Sequence, residues 1–230
     1  PDLAANLWRN PGEIPGNGID DDNNGFIDDI RGWDFTTCGA TKLDVDESVI
    51  CTQAKQPDND PMDPVNDGHG TFVAGIIGAV GNNNRGVAGI NWSVKIVPIK
   101  SSLLPKGLTS DKINGVLYAL NMGFKVVNNS WTIPGFSQAL YDVLAVADSQ
   151  GQLFIFGAGN DGRNTDVNPR YPASYDLPGI ISVASIGSNG ALAASSDYGL
   201  VTVDLAAPGY NVYSTAPGNA YKAGSGTSFA

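Results

Sequence analysis

Between residues 94 and 205, short apolar runs alternate with segments of helical period, and few folds accept that pattern. Runs at 94–100, 125–129, 152–156, 180–184 and 201–205 read as strands. Ser110 is placed to cap a helix whose apolar residues Ile113, Val116, Leu117 and Leu120 fall at i, i+3, i+4 and i+7, with Gly123 as its stop. A second helix over 137–150 carries Leu140, Val143, Leu144 and Ala147 and stops at Gly151. Strands alternating with helices in this way define an α/β fold: a three-layer, doubly wound, mostly parallel sheet with helices on both faces. Such sheets bind ligands beyond the C-terminal ends of their strands. Ser130 and Asn160 both fall just past strand ends, on that working edge.

A length of 230 residues suits one large domain, and the chain reads as a single domain over 1–230. The part outside the alternation is 10–65, a loop-rich insertion that holds an acidic loop and both cysteines, Cys38 and Cys51. No apolar run approaches the roughly 18 residues needed to span a bilayer. The 13 basic residues against 23 acidic ones, net −10, argue against nucleic acid or an anionic membrane as partner.

The acidic loop is Asp20-Asp21-Asp22-Asn23-Asn24-Gly25-Phe26-Ile27-Asp28-Asp29. Asp20, Asp22, Asn24 and Asp28 stand at positions 1, 3, 5 and 9 of an EF-hand-type calcium loop, Gly25 at 6, and the Phe26 carbonyl at 7. Position 12 is Arg31 instead of Glu. That rules out a complete EF-hand and leaves water, Asp29 or a distant group to finish a Ca²⁺ site.

His69 is the only histidine, within Asp67-Gly68-His69-Gly70-Thr71-Phe72-Val73-Ala74-Gly75. Histidine can take and return a proton near neutrality. Val73, Ile76, Ile77 and Val80 follow at helical spacing, and Gly75 and Gly78 leave room for close packing. His69 is therefore expected in the first turn of a buried helix, where the macrodipole disfavours imidazolium.

The stretch Gly224-Ser225-Gly226-Thr227-Ser228-Phe229-Ala230 reads as a loop when taken alone. With the His69 stretch before it and Phe156-Gly157-Ala158-Gly159-Asn160-Asp161-Gly162 between them, it resembles the subtilisin-like serine proteases, over nearly the whole chain. The resemblance implies His69 as general base, Ser228 as nucleophile and Asn160 as oxyanion donor beside the Ser228 N–H, all at one edge of the sheet. It implies that Ser130-Trp131-Thr132 and Gly107, next to Lys106, flank an extended peptide. Gly157, Ala158 and Gly159 would wall a roomy primary pocket. Thr132 stands where the family usually has Gly, and Phe72 where it commonly has His. The family's catalytic aspartate lies in a turn a few residues before a Pro-Asp-Leu, and the chain opens at Pro1-Asp2-Leu3. That aspartate is expected upstream, and these residues by themselves are expected to hydrolyse peptides poorly.

The same resemblance implies a secreted or cell-surface protein of bacterial type, acting as a monomer on polypeptides, with structural Ca²⁺ and no organic cofactor. Asp2 and Asn83, the latter in the loop Gly81-Asn82-Asn83-Asn84-Arg85-Gly86-Val87-Ala88-Gly89, would contribute to one calcium site. Secretion favours a Cys38–Cys51 disulfide over two free thiols, and the Tyr171–Pro172 bond is expected to be cis. The other reading is a non-catalytic subtilase-like fold used as a calcium-dependent binding or adhesion module.

Overall fold

A polar, glycine-rich segment has no face to bury, and residues 10–29 accordingly form turns, not a ladder. The computed structural model describes residues 2–43, 49–64, 67–102 and 107–230. They group into two compact units, Pro1–Gly115 with Ser214–Lys222, and Val116–Tyr213 with Ala223–Ala230.

In the first unit, β1 (Trp33–Asp34) leads into an antiparallel hairpin of β2 (Cys38–Leu43) and β3 (Val49–Ala54). Cys38 and Cys51 are disulfide-bonded across it, with Cα atoms 5.6 Å apart, as the resemblance implied. At its base the buried Asp34 carboxylate meets the ammonium groups of Lys55 at 3.1 Å and Lys100 at 3.0 Å. Two cations offset the desolvation of that buried charge. Next comes α1 (His69–Gly78), which buries Phe72 and Val73. Ser214 Oγ donates to Phe72 O at 2.7 Å and Thr215 Oγ1 to Thr71 O at 2.7 Å, so a Cβ on Gly75 would overlap both hydroxyls. A Cβ on Gly78 would overlap Val94. Both glycines thus permit the close approach expected of them.

The strand expected over 94–100 is shorter. Only β4 (Ile99–Lys100) pairs, in parallel with β1, while Ile96 makes a single bridge to Leu7. Pro98 interrupts the run because it has no N–H to give a ladder. The following α2 (Thr109–Asn121) starts one residue before Ser110, which therefore lies in the first turn and is not the cap. Its buried stripe is also rotated from the expected one: Lys112, Val116, Tyr118 and Ala119 are buried and Leu117 is exposed. Tyr118 is drawn inward by Phe124, whose ring centroid lies 6.3 Å away just beyond the helix end. Gly123, at φ +73, ends the helix as expected, with Gly123 N bonded to Leu120 O and Phe124 N to Ala119 O, both at 3.0 Å.

In the second unit, β5 (Val126–Asn129) is followed by α3 (Gln138–Ser149). The Ser137 hydroxyl caps α3 by accepting from Leu140 N, and Gly151 at φ +78 stops it. Leu140, Leu144 and Ala147 form its buried stripe. The chain continues through β6 (Leu153–Gly157), β7 (Ile180–Ile186) and β8 (Leu205–Pro208). These join β5 in one parallel sheet in the order β5-β6-β7-β8. The last strand begins where the expected run at 201–205 ends. Backbone N–H groups of Leu200, Val201 and Thr202 donate to the Asp166 carboxylate at 2.7, 3.1 and 3.0 Å, which curls that run into an exposed loop. β9 (Val212–Ala216) and β10 (Ala220–Gly224) pair as a hairpin, whose residues 214–222 are counted with the first unit. The Tyr171–Pro172 bond is cis.

The register fixes the working edge of this sheet. Asn129 pairs with Phe156, Gly157 with Val183, and Ile186 with Pro208. The chain therefore leaves β5 and β6 at one edge, carrying Ser130 and residues 158–160 there.

Candidate active site

Gly68 is the N-cap of α1, at φ +75 and ψ 13, which makes His69 the first helical residue. Lacking a Cβ, Gly68 takes the left-handed turn and lets the Pro217 ring pack against it. Acids meet the orphan N–H groups of this helix start. Asp67 Oδ1 accepts from His69 N at 3.2 Å, and Asp63 Oδ2 accepts from Thr71 N at 2.6 Å and Thr71 Oγ1 at 2.7 Å. Burial lowers the His69 pKa from the ordinary 6.5, Asp67 and Asp63 push it back up, and Lys222 pushes it down; the net direction is down. The imidazole is consequently neutral near pH 7 and able to accept a proton.

Because His69 is the sole histidine, its ring protons titrate without overlap in an NMR spectrum. Lys222→Gln removes a cation and is expected to raise its pKa, whereas Asp67→Asn removes an anion and is expected to lower it. Solvent and salt screen both charges, so each shift should shrink at high ionic strength. Shifts of one sign for both substitutions would contradict this electrostatic account.

The second unit assembles the other half of the expected site. Asn160 Oδ1 accepts from Thr227 N at 2.8 Å and Thr227 Oγ1 at 3.2 Å. Gly159 N donates to Thr227 Oγ1 at 3.3 Å, and Ser130 Oγ donates to the carbonyl of Ser228 at 3.0 Å. A Cβ on Gly157 would lie 2.9 Å from Thr227 Oγ1 and 3.0 Å from Thr227 O, so that approach needs a glycine. Thr227–Phe229 forms a 3-10 turn. Because the Thr227 N–H can only donate, the Asn160 oxygen must face it. The Asn160 Nδ2 is then the end of the side chain left to serve a ligand.

Ser130, Gly157, Gly159, Asn160 and Ser228 are thus gathered in one unit, and Ala158 is buried beside them. Trp131 sets its ring edge-on to Phe156, with centroids 5.4 Å apart. Thr132 follows, and the chain is tied at the next residue by Ile133 N to Tyr171 O at 2.9 Å. His69 lies in the first unit with Asp63, Asp67 and Lys222. Gly107, also there, is buried with its carbonyl accepting from Lys112 Nζ at 2.8 Å. Lys106 lies outside the described residues.

In the acidic loop, one carboxylate oxygen from each of Glu13, Asp22 and Asp29 falls within 4.8 Å of the others, and Asp29 is fully buried. Asn10 Nδ2 donates to Asp22 at 2.9 Å and Asp29 at 2.6 Å, and Asn24 Nδ2 donates to Asp29 at 3.1 Å. Three converging carboxylates repel one another unless a cation joins them, and hard oxygen donors suit Ca²⁺. Of the carboxylates expected from the loop spacing, Asp22 belongs to this group. Asp20 accepts from Asn24 N at 3.0 Å and Gly25 N at 2.8 Å, and Asp28 from Gly16 N at 2.6 Å and Gly18 N at 2.9 Å. Asn24 Oδ1 accepts from Phe26 N, and the Phe26 ring packs edge-on to Trp33 and Phe35.

Asp2 and Asn83 meet as acceptor and donor. Asp2 Oδ1 accepts from Asn83 Nδ2 at 2.6 Å, and Oδ2 accepts from Val87 N and Tyr221 Oη, each at 3.1 Å. Burial raises the Asp2 pKa, but the bonds from Asn83, Val87 and Tyr221 outweigh it and hold the carboxyl below the ordinary 3.8.

The family model described as the subtilase family matches residues 1–230, and the chain belongs to that family. It is 33% identical over 251 residues to subtilisin-like protease 1 of Plasmodium falciparum (isolate 3D7), covering 100% of this chain and 33% of that protein. It is 36% identical over 174 residues to a thermophilic serine proteinase of Bacillus sp. (strain AK1), covering 75% of this chain and 41% of that protein. Among solved structures, a protease of Pseudoalteromonas arctica PAMC 21717 superposes with a TM-score of 0.67 at 30% identity, over 86% of this chain and 67% of that one. The fold is the α/β fold of subtilisin-like proteinases. The chain spans about a third of the length of the first of these curated relatives.

Proposed function

We propose that the protein is a serine endopeptidase acting on extended polypeptides through Ser228, His69 and Asn160. The observation that carries this reading is the Asn160–Thr227 bond beside Ser228, which holds the amide oxygen and leaves the amide N–H for an oxyanion. In this scheme His69 takes the Ser228 proton as Oγ attacks the scissile carbonyl carbon. The carbonyl oxygen becomes an oxyanion that accepts from Asn160 Nδ2 and the Ser228 N–H. Collapse breaks the C–N bond, and His69 returns its proton to the leaving amine. Water then cleaves the acyl-enzyme by the same route. Ser130, Trp131, Thr132 and Gly107 line the bound peptide, and Gly157, Ala158 and Gly159 form the wall of the primary pocket.

A fluorophosphonate traps a serine activated in this way as a covalent ester. Treating the full-length protein should add one phosphonyl group to the Ser228 peptide, seen by mass spectrometry, and His69→Ala should prevent it. An intact Ser228 peptide together with absent hydrolysis would favour a binding module.

Calcium belongs to the same proposal. Glu13, Asp22 and Asp29 would hold a Ca²⁺ ion that neutralises their mutual repulsion and braces the loop. At a hundredfold excess over its Kd such an ion stabilises by about 2.7 kcal/mol. The melting temperature should therefore rise with calcium and fall with chelator, and Asp29→Asn should remove most of that dependence. A melting temperature indifferent to both would show that no such ion is held. Monomeric action and secretion complete the proposal, and the disulfide supports secretion. Among the described residues no helix is long and apolar enough to cross a membrane.

A further inference from the structure

Asp197 is fully buried in the second unit and takes no part in the reaction scheme above. It grips the turn that carries Asn160 from both sides. Its backbone N–H donates to Gly159 O at 2.9 Å, and its Oδ1 accepts from Asp161 N at 2.9 Å and Arg163 N at 3.0 Å. The residues immediately before and after Asn160 are therefore bonded to one side chain and its own backbone. The second carboxylate oxygen has no hydrogen bond and is met by Arg170 Nε at 3.6 Å. Arg170 also pairs with the Asp161 carboxylate, which joins the turn to the same cation. Gly159 sits at φ +125, and a Cβ there would overlap the Asp197 carboxylate. Close seating of the acid under the turn thus depends on a glycine as well.

A buried carboxylate is costly unless it is paired and hydrogen-bonded. An amide could accept from the two N–H groups, but its own NH₂ would then face Arg170. The carboxylate is the group that satisfies the turn and the guanidinium together.

We propose that Asp197, braced by Arg170, is a positioning residue that holds Asn160 where its amide N–H meets the oxyanion. This rests on the oxyanion role proposed for Asn160. An oxyanion donor acts only when aimed at charge that appears in the transition state. Loosening its turn should therefore lower kcat and leave KM nearly unchanged.

The test compares Asp197→Asn, Asn160→Ala and the double variant in the full-length protein on one peptide substrate, with active sites counted by fluorophosphonate. Asp197→Asn is expected to lower kcat about tenfold with KM within about twofold, because small misplacements of a catalytic group are expensive. In the Asn160→Ala background the same change should cost less than about twofold, since its effect passes through Asn160. If Asp197→Asn does not accumulate, Arg170→Gln is expected to give the same kcat-selective loss and the same dependence on Asn160. A lowered melting temperature with unchanged kcat per titrated site would make Asp197 merely structural and overturn the proposal. So would two losses that multiply in the double variant. If Asn160→Ala by itself left kcat unchanged, the oxyanion reading would fail, and this proposal with it. A drop for Asn160→Ala with none for Asp197→Asn or Arg170→Gln would sink only the positioning role.

Discussion

Ser228→Ala in the full-length protein is expected to abolish peptide hydrolysis, lowering kcat by about 10⁶-fold, the size measured for a family member. The direction follows from chemistry. A methyl group cannot attack a carbonyl carbon, so the acyl-enzyme route is lost outright and only binding and oxyanion stabilisation remain. Folding should survive, because the bond that anchors this residue is made by its backbone carbonyl, which accepts from Ser130 Oγ at 3.0 Å. KM should change little, since the hydroxyl makes its decisive interaction in the transition state. His69→Ala should cost nearly as much as Ser228→Ala, and the double variant no more than either. In the proposed scheme the two groups perform one step, so removing one already disables the other. Steady-state kinetics on a chromogenic peptide, with melting temperatures as folding controls, check all three proteins. Measurable turnover in Ser228→Ala that still obeys the parent's pH profile would show that another nucleophile carries the reaction.

What the sequence disclosed and what it hid divide along the range of the interactions involved. Helix stops were legible because they are local: Gly123 and Gly151 end their helices through backbone bonds to residues three to five positions earlier. Ser137 was legible as the start of α3 for the same reason. Gly75 and Gly78 announced a close approach, although not that the approaching atoms would be Ser214, Thr215 and Val94. The inward turn of Tyr118 was missed because it depends on a ring beyond the helix, which periodicity does not weigh. The run at 201–205 looks like a strand in isolation and is a loop because Asp166, more than 30 residues earlier, takes its N–H groups. In the acidic loop, EF-hand spacing located the segment and named Asp22, with Asp29 or a distant group to complete a site. Glu13, which no spacing rule reaches, is such a distant group, and Asp28 accepts from two glycine N–H groups. Of the residues proposed for the reaction, His69, Asn160 and Ser228 stood out by motif. Their supports Asp63, Thr227, Asp197 and Arg170 did not, since a supporting side chain needs only to reach its partner in space and can come from any point in the chain.

Asn160→Ala is expected to lower kcat by about 10²–10³-fold, about 2.7–4 kcal/mol of transition-state stabilisation, with KM within a few-fold; the magnitude is again one known from a subtilase. The side chain has two ends with separate duties. Oδ1 accepts from Thr227 N at 2.8 Å and Thr227 Oγ1 at 3.2 Å, fixing the turn that carries Ser228, while Nδ2 is assigned to the oxyanion. Alanine removes both ends, so its effect mixes lost anchoring with lost donation. Asn160→Asp separates them. The carboxylate can still accept from Thr227, which keeps the anchor, but it offers an anion where a donor is required. At neutral pH it should therefore be at least as damaging to kcat as alanine, through repulsion of the developing oxyanion. Its melting temperature should stay closer to the parent's than that of Asn160→Ala. As the pH falls and the new carboxyl protonates, it regains a donor, so its activity relative to Asn160→Ala should rise toward acid, a ratio in which protonation of His69 cancels. Kinetics of both variants between neutral pH and about pH 5, each normalised to titrated active sites, provide the comparison. If Asn160→Asp keeps most of the parent's kcat at neutral pH, the Asn160 amide is not the group that meets the oxyanion, and its bond to Thr227 is its whole contribution.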